Sequence, residues 1–392
     1  MSVTHTITGG LVHLSGNPIQ IFVTSSGPTG EHYKCALKIT CDGLFGSPFP
    51  PEEIAPLAGV SEFDISGFVD QPVAYEFDYP AIEAAVAHNP LVFNVTVQCG
   101  ETWIDEDGNR VESWQISSVL RIVKGSLRAY ELALLNEAGK SFASEYIDGG
   151  KFLTHLANNQ KVSEREELKL WYLSRWNENH AAILKLSIET DYLDNPIILS
   201  EEFVLTPNGL FEFTVNPYFF GFNIPPGLHV PAETKVLSFT FWLTDGSGDI
   251  SERRRFVVDD SYHERTFTFY YVNPLSGIDM IWLTGEYTEG LKTESETAYR
   301  KMPVGAGTKV SSLTTISTNG QRSWQLNTGS KSREELLSMR DFLEAKERWM
   351  IDPDLDTYKK LIPVVIESGD YTLYQSLEQI QNLEIKVLEA HR

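Results

Sequence analysis

The sequence predicts a mainly β chain: two tandem β-sandwich domains of the immunoglobulin or fibronectin kind, followed by a small α+β domain. Three observations predict it. Apolar and polar residues alternate at period two through the first two thirds of the chain, and Gly- and Asp-rich turns separate the alternating runs. Beyond about residue 261 the pattern gives way to an amphipathic helix set among strand-like segments. The divisions that follow are 1–125 for the first sandwich, 126–150 for a helical linker, 151–260 for the second sandwich and 261–392 for the α+β domain, read as an assembly domain.

The first sandwich is most legible in "LVFNVTVQCGETW", where Phe93, Val95, Val97 and Cys99 recur on one face. "DEDGN" (105–109) and the returning "RVESWQISSVLRIV" complete a hairpin with an Asp-Gly turn. Cys35 and Cys41 share a parity on another strand, so both point to one face as packed thiols. With Cys99 they make three cysteines without CxxC or Cys/His spacing, and neither disulfides nor structural zinc are expected.

The second sandwich repeats the arrangement: Phe239, Phe241 and Leu243 alternate, a Gly-rich turn follows at Gly246 to Gly248, and a strand leads into Asp259. Upstream, "LVHLSGNPIQIFV" around His13 parallels "FLTHLANNQKV" around His155. "CALKITCDG" parallels "ILKLSIETD", and "YEFDYPAIEAA" parallels "FEFTVNPYFFG", each pair about 135 to 142 residues apart. Two readings stand side by side: an internal duplication, or two sandwiches of similar size that share alternation and turn spacing.

In the linker, "SLRAYELALLNEAGK" reads as a short helix from near Ser126 to a stop at Gly139. In the last third, "FYYVNPLSGIDMIWLTG" (269–285) sets two apolar runs about Asn273, Pro274, Ser276 and Gly277, all turn formers, and reads as a hairpin rather than a pocket. A Ser/Thr/Gly-rich section spans Gly305 to Gly320. In "SKSREELLSMRDFLEAKERWMID", Ser332 and Glu335 have capping-box spacing, and Leu336, Met339, Leu343 and Trp349 or Met350 trace one helical face. "LIPVVIESGDYTLY" and "LEIKVLEA" return to strand composition.

Composition bounds the function. At 392 residues the chain is long enough for roughly two to three domains. A net charge of −22 argues against nucleic-acid binding, because phosphate affinity rests on clustered Lys and Arg. The acidity serves either to repel DNA or only to keep the chain soluble. The basic cluster Arg253-Arg254-Arg255 reads as an exposed strand face balanced by acidic neighbours. No run approaches the ~20 apolar residues of a spanning helix, and "MSVTHTITGGLVHL" lacks the pattern of a signal peptide. No membrane insertion is expected, and synthesis in the cytoplasm is.

Motifs of chemistry are missing from the sequence. The nine histidines show no HxH or HExxH spacing; GxSxG, a P-loop and a strand-borne GxGxxG are lacking. "DEDGN" resembles the start of a calcium loop without its later ligands and reads as a turn. Trp103, Trp114, Trp171, Trp176 and Trp242 lie in strand-like or amphipathic stretches that favour core packing over a sugar-stacking platform. No catalytic, metal or cofactor-binding residue is assigned, and no cofactor or enzymatic activity is expected.

The order "FLTHL", "LKLWYL", "RRRFVVDD", "FTFYYVNPLSGIDMIWLTG", "NTGSKSREELLSMRDFLEA" and "IPVVIESGDYTLY" resembles a family of bacteriophage and prophage structural proteins, over most of residues 150–392. The resemblance implies a virion component of the tail, collar or baseplate, synthesised in the host cytoplasm, assembled into the virion with copies of itself and other virion proteins, and without catalytic residues. The alternative function is a surface-recognition module that binds carbohydrate or a protein receptor through sandwich loops. Apolar density in the last domain places the expected subunit interface at Pro274, Leu275, Ser276 and Gly277 and at Ile362, Val364 and Ile366.

Overall fold

A computed structural model describes residues 3–25, 31–41, 47–70, 85–88, 91–162, 167–215, 234–261, 263–299, 313–352, 360–373 and 382–390. The chain is mainly β. By contact it divides into two units, the first formed by 1–259 with 272–279 and the second by 260–271 with 280–392.

The N-terminal part of the first unit contains β1 (Val3–Ile7), β2 (Val12–Leu14), β3 (Gln20–Ser25), β4 (Glu31–Cys41), β5 (Glu52–Ile54), β6 (Val60–Asp64), the one-turn helix α1 (Ser66–Val69), β7 (Ala85–Ala87), β8 (Val92–Ile104) and β9 (Arg110–Val123). One sheet has the order β1-β3-β6 and another β2-β9-β8-β4-β5. The expected alternation is what packs them. Ile21 and Val23 from β3, Cys35, Leu37, Ile39 and Cys41 from β4, Val95, Val97 and Cys99 from β8, and Leu120 and Ile122 from β9 meet in one buried core. All three cysteines are buried and free. Burying each such side chain contributes roughly 1.5–3 kcal/mol. Asp105 closes the β8–β9 hairpin as foreseen: its Oδ1 accepts from the Asp107 and Asn109 amides, and Gly108 takes a φ of +78°.

After α2 (Ala129–Glu137) and a π-helical turn at Ala143–Ile147 come β10 (Gln160–Val162), β11 (Leu168–Leu173), β12 (His180–Thr190), β13 (Ile197–Leu205), β14 (Leu210–Val215), β15 (Val236–Thr244) and β16 (Arg254–Val258). The helix falls inside the expected linker, and Gly139 follows it at φ +67°. The five-stranded sheet β10-β16-β15-β12-β13 repeats the order of β2-β9-β8-β4-β5 strand for strand. Both include one parallel pair, Val12↔Arg121 in the first and Gln160↔Phe256 in the second. Phe213 of β14 meets Phe203 and Phe241 of the five-stranded sheet at ring separations of 5.2 and 5.8 Å, so the sheets pack face to face.

One of the proposed sequence parallels is corrected by this topology. His13 lies in β2, but β10, which holds the equivalent place, begins at Gln160, so His155 precedes its strand rather than occupying it. Phe211–Val215 is β14, which in chain order stands between β13 and β15 as β6 stands between β5 and β8; its proposed parallel is the stretch from residue 75. Most of that stretch lies outside the described residues. Its last residue, Ala85, opens β7, which pairs antiparallel with β14, placing Ala87 opposite Phe211. A strand encoded between β6 and β8 thus completes the sheet β11-β14-β7, whose other two strands come from 168–215.

The second unit is built on a seven-stranded sheet, β18-β17-β21-β22-β23-β20-β19. Its strands are β17 (Phe267–Val272), β18 (Ile278–Leu283), β19 (Tyr287–Tyr299), β20 (Leu313–Asn327), β21 (Arg348–Ile351), β22 (Leu361–Ile366) and β23 (Glu384–Glu389). β17 and β18 are neighbours, the hairpin that the turn formers predicted. Helix α3 (Arg333–Glu344) opens on the capping box: Ser332 accepts from the Glu335 amide, and the Glu335 carboxylate accepts from the Ser332 amide. It buries Leu336, Met339 and Phe342. The helix is shorter than its apolar periodicity suggested, because Trp349 and Met350 belong to β21, where they pair with Tyr270 and Phe269.

Candidate functional site

Ionisable side chains in the first unit are drawn inward and used as ties. Strand alternation sets Leu170 and Phe213 on the packed side of the β11–β14 pair, and Lys169, Trp171, Glu212 and Thr214 on the reverse side. That reverse side is buried too. Lys169 Nζ lies 2.8 Å from Glu212 Oε1 and donates to Thr214 Oγ1 at 2.9 Å, and His88 Nε2, just after β7, lies 2.9 Å from Glu212 Oε2. The His88 ring also sits 4.5 Å from the Trp171 ring. Burial alone would raise the Glu212 carboxyl, but His88 and Lys169 outweigh it and hold the group below its ordinary range. The arrangement joins three strands.

Arg121 of β9 makes a second tie. It donates to the Ser174 carbonyl, to Asn208 Oδ1 at 3.0 Å and to the Asn208 carbonyl, and burial lowers its guanidinium to about 10. Tyr33 donates to the buried Glu101 at 2.7 Å, and burial followed by that carboxylate pushes the phenol up. The basic triplet divides. Arg253 pairs with Asp249 and Arg255 with Glu189, as expected of a balanced face. Arg254 departs from it: the side chain is buried and donates to the Leu156 carbonyl.

The tryptophans are spread through separate packing sites. Trp171 and Trp242 are buried, and Trp103 packs on the first core. Trp114 lies under the Lys38 ammonium at 4.5 Å, and Trp176 is stacked on His180 at 3.8 Å with Arg175 at 4.7 Å.

The stretches expected at a subunit interface are largely taken up by the chain's own packing. Leu275 and Ser276 are fully buried, and the turn is held within the first unit. Asn273 organises it: Oδ1 accepts from the Leu275 and Gly277 amides, and Nδ2 donates to the Leu153 carbonyl at 2.8 Å. The Pro274 carbonyl accepts from the Ser126 amide. A Cβ on Gly277 would fall 2.6 Å from the Leu153 carbonyl oxygen, so only glycine allows that approach. Ile362 and Val364 are buried and Ile366 half-buried in β22, which has β21 on one side and β23 on the other. Apolar density at both stretches serves the chain's own core, and neither presents a free edge.

The pair β19–β20, which the sequence reading missed, is exposed over most of its length. The two strands pair from Tyr287↔Leu326 to Tyr299↔Leu313, but β20 meets β23 only over Ser323–Asn327. Beyond Ser323 the pair is a two-stranded ribbon, about 30 Å long from Leu291 to Tyr299 at 3.4 Å per residue. Its apolar side chains face water: Tyr299 is 88% exposed, Ile316 68% and Leu291 65%. Alternation carries Leu291, Thr293 and Ser295 on the side that ends in buried Trp324 and Leu326. Lys292, Glu294 and Glu296 occupy the other side, opposite Gln321, Asn319 and Ser317. Lys292 and Glu294 pair at 2.7 Å along the strand.

A scan against family models finds no match, and no curated protein matches. Among solved structures, the chain is similar to a marsupial T cell receptor at 10% identity, over 83% of this chain and 96% of that one, with a TM-score of 0.20. A likeness that slight carries no argument.

Proposed function

We propose that the chain is a non-enzymatic structural subunit of a bacteriophage virion, a component of its tail, collar or baseplate, in which two sandwiches of the immunoglobulin or fibronectin kind carry an α+β assembly domain. The observation that carries the reading is the β19–β20 ribbon. A two-stranded hairpin in water is at best marginally stable by itself, yet this one runs well past its last supporting strand with Leu291, Tyr299 and Ile316 exposed. An element of that kind fits a subunit whose partner completes it. Two further features support the reading. The repeated order of the five-stranded sheets fits tandem copies of one module. The buried charges of the first unit are spent on tying strands together, as at Lys169, Glu212 and Arg121.

The test is to purify particles from a host carrying the gene and label them with an antibody raised against the isolated chain. Labelling at one fixed position, seen by electron microscopy, is expected. Unlabelled particles, with all of the chain left in the soluble fraction, would refute the proposal.

A further inference from the structure

The ribbon's outer strand alternates charged residues along one of its sides. β19 is the last strand of its sheet, so one edge of its backbone has no neighbouring strand among the described residues. Such an edge is a template for another strand. Between Gly290 and the register shift that follows Glu296, the strand keeps an unbroken ladder with β20, and the middle of that stretch is Thr293. On the charged side the sequence within it reads Gly290, Lys292, Glu294, Glu296. Across the hairpin these residues meet only uncharged ladder partners, as described above.

We infer that β19 pairs antiparallel with β19 of a second copy of this chain, about a two-fold axis through Thr293. The inference rests on the reading of the chain as an assembly subunit and adds the partner and the register. A two-fold contact places the same strand on both sides, so residue positions are matched symmetrically about the axis. Centring on Lys292 sets lysine against lysine, and centring on Glu294 sets glutamate against glutamate. Centring on Thr293 sets Lys292 against Glu294 of the partner copy, and that pairing occurs twice. The same register lays Leu291 against Ser295, Thr293 against its own copy, and Glu296 against Gly290, so no like charges meet. Opposite charges directly across an antiparallel pair stabilise it, and like charges oppose it. The side of the ribbon that carries Leu291, Thr293 and Ser295, continuous with buried Trp324 and Leu326, would then widen into a four-stranded surface shared by two copies.

The test is a charge-exchange series on the full chain, read by sedimentation equilibrium at low salt. The intact chain is expected to dimerise, and Lys292→Glu or Glu294→Lys alone to weaken the dimer by roughly tenfold, because each variant faces two like-charge pairs. An equimolar mixture of those two variants restores complementary pairs, and so does the double exchange in one chain; both should recover the dimer. Both substituted positions are exposed, so folding is preserved. Single variants that dimerise as well as the intact chain would overturn the inference, as would a mixture that fails to recover. A chain that never dimerises overturns it as well. The proposal of a virion subunit would stand or fall separately, on the labelling of particles.

Discussion

Lys169 and Glu212 meet at 2.8 Å with side chains 0% and 3% exposed, so neither charge has water to fall back on. Removing one partner leaves the other buried and uncompensated, which costs about 3–5 kcal/mol. Lys169→Met and Glu212→Gln should each lower the urea midpoint sharply. Replacing both, with methionine and leucine, should recover a large part of that loss, because an apolar pair of similar volume needs no compensation.

Acid should weaken the fold in two stages. The Glu212 carboxyl is depressed in the folded chain, so its contribution is complete above the unfolded value of about 4.3 and is lost as pH falls through the folded one. His13 is buried, and that burial lowers its imidazole. Its contribution is present above about 6.5 and begins to be lost as pH falls below that value. Unfolding midpoints measured from pH 8 to pH 3 should therefore hold steady at first and then decline. A midpoint that rises between pH 7 and pH 5 would contradict the His13 assignment, and one that rises between pH 4 and pH 3 the Glu212 assignment.

The Asn273 turn should prove a stability determinant. Asn273→Ala withdraws the acceptor for two buried amides and the donor for one buried carbonyl, and each unmatched group costs about 1–3 kcal/mol. Ending the chain at residue 260 removes the turn entirely and with it part of the first unit. Such a fragment should melt below the intact first unit in calorimetry, rather than behave as an undisturbed module.

Helix α3 offers a smaller, local test. Ser332→Ala removes the acceptor of the Glu335 amide and should cost about 1 kcal/mol, read from the unfolding midpoint. Ser332→Asp should retain most of the stability, since its carboxylate caps in the same way.

The elements that sequence revealed are those with one face in a core. Val95, Val97 and Cys99 alternate because water is excluded from one side of β8, and the Ser332–Glu335 spacing reports hydrogen bonds local to the helix end. What sequence hid follows the same logic. The ribbon has neither face buried beyond Trp324, so "YTEGLKTESETAY" lacks apolar alternation. Its signal was β-favouring Thr at 288, 293 and 297, with Tyr at both ends. The apolar turn at Pro274–Gly277 looked like surface to be covered by a neighbour, because a sequence does not say that Leu153 and Trp171 lie against it. β7 was out of reach for a further reason: its partner, β14, lies more than a hundred residues away in the chain.

The central claim is that the chain assembles through the β19–β20 ribbon of its C-terminal unit. Leu291 and Arg322 are ladder partners, so replacing residues 292–321 by an Asn-Gly turn would close the hairpin there and leave Trp324 and Leu326 in place. Light scattering on the intact and shortened chains at matched concentration is the most direct measurement. The account predicts that the intact chain associates, while the shortened chain is a monomer with an unchanged melting temperature; equal association of both chains, or a monomeric intact chain, would contradict it.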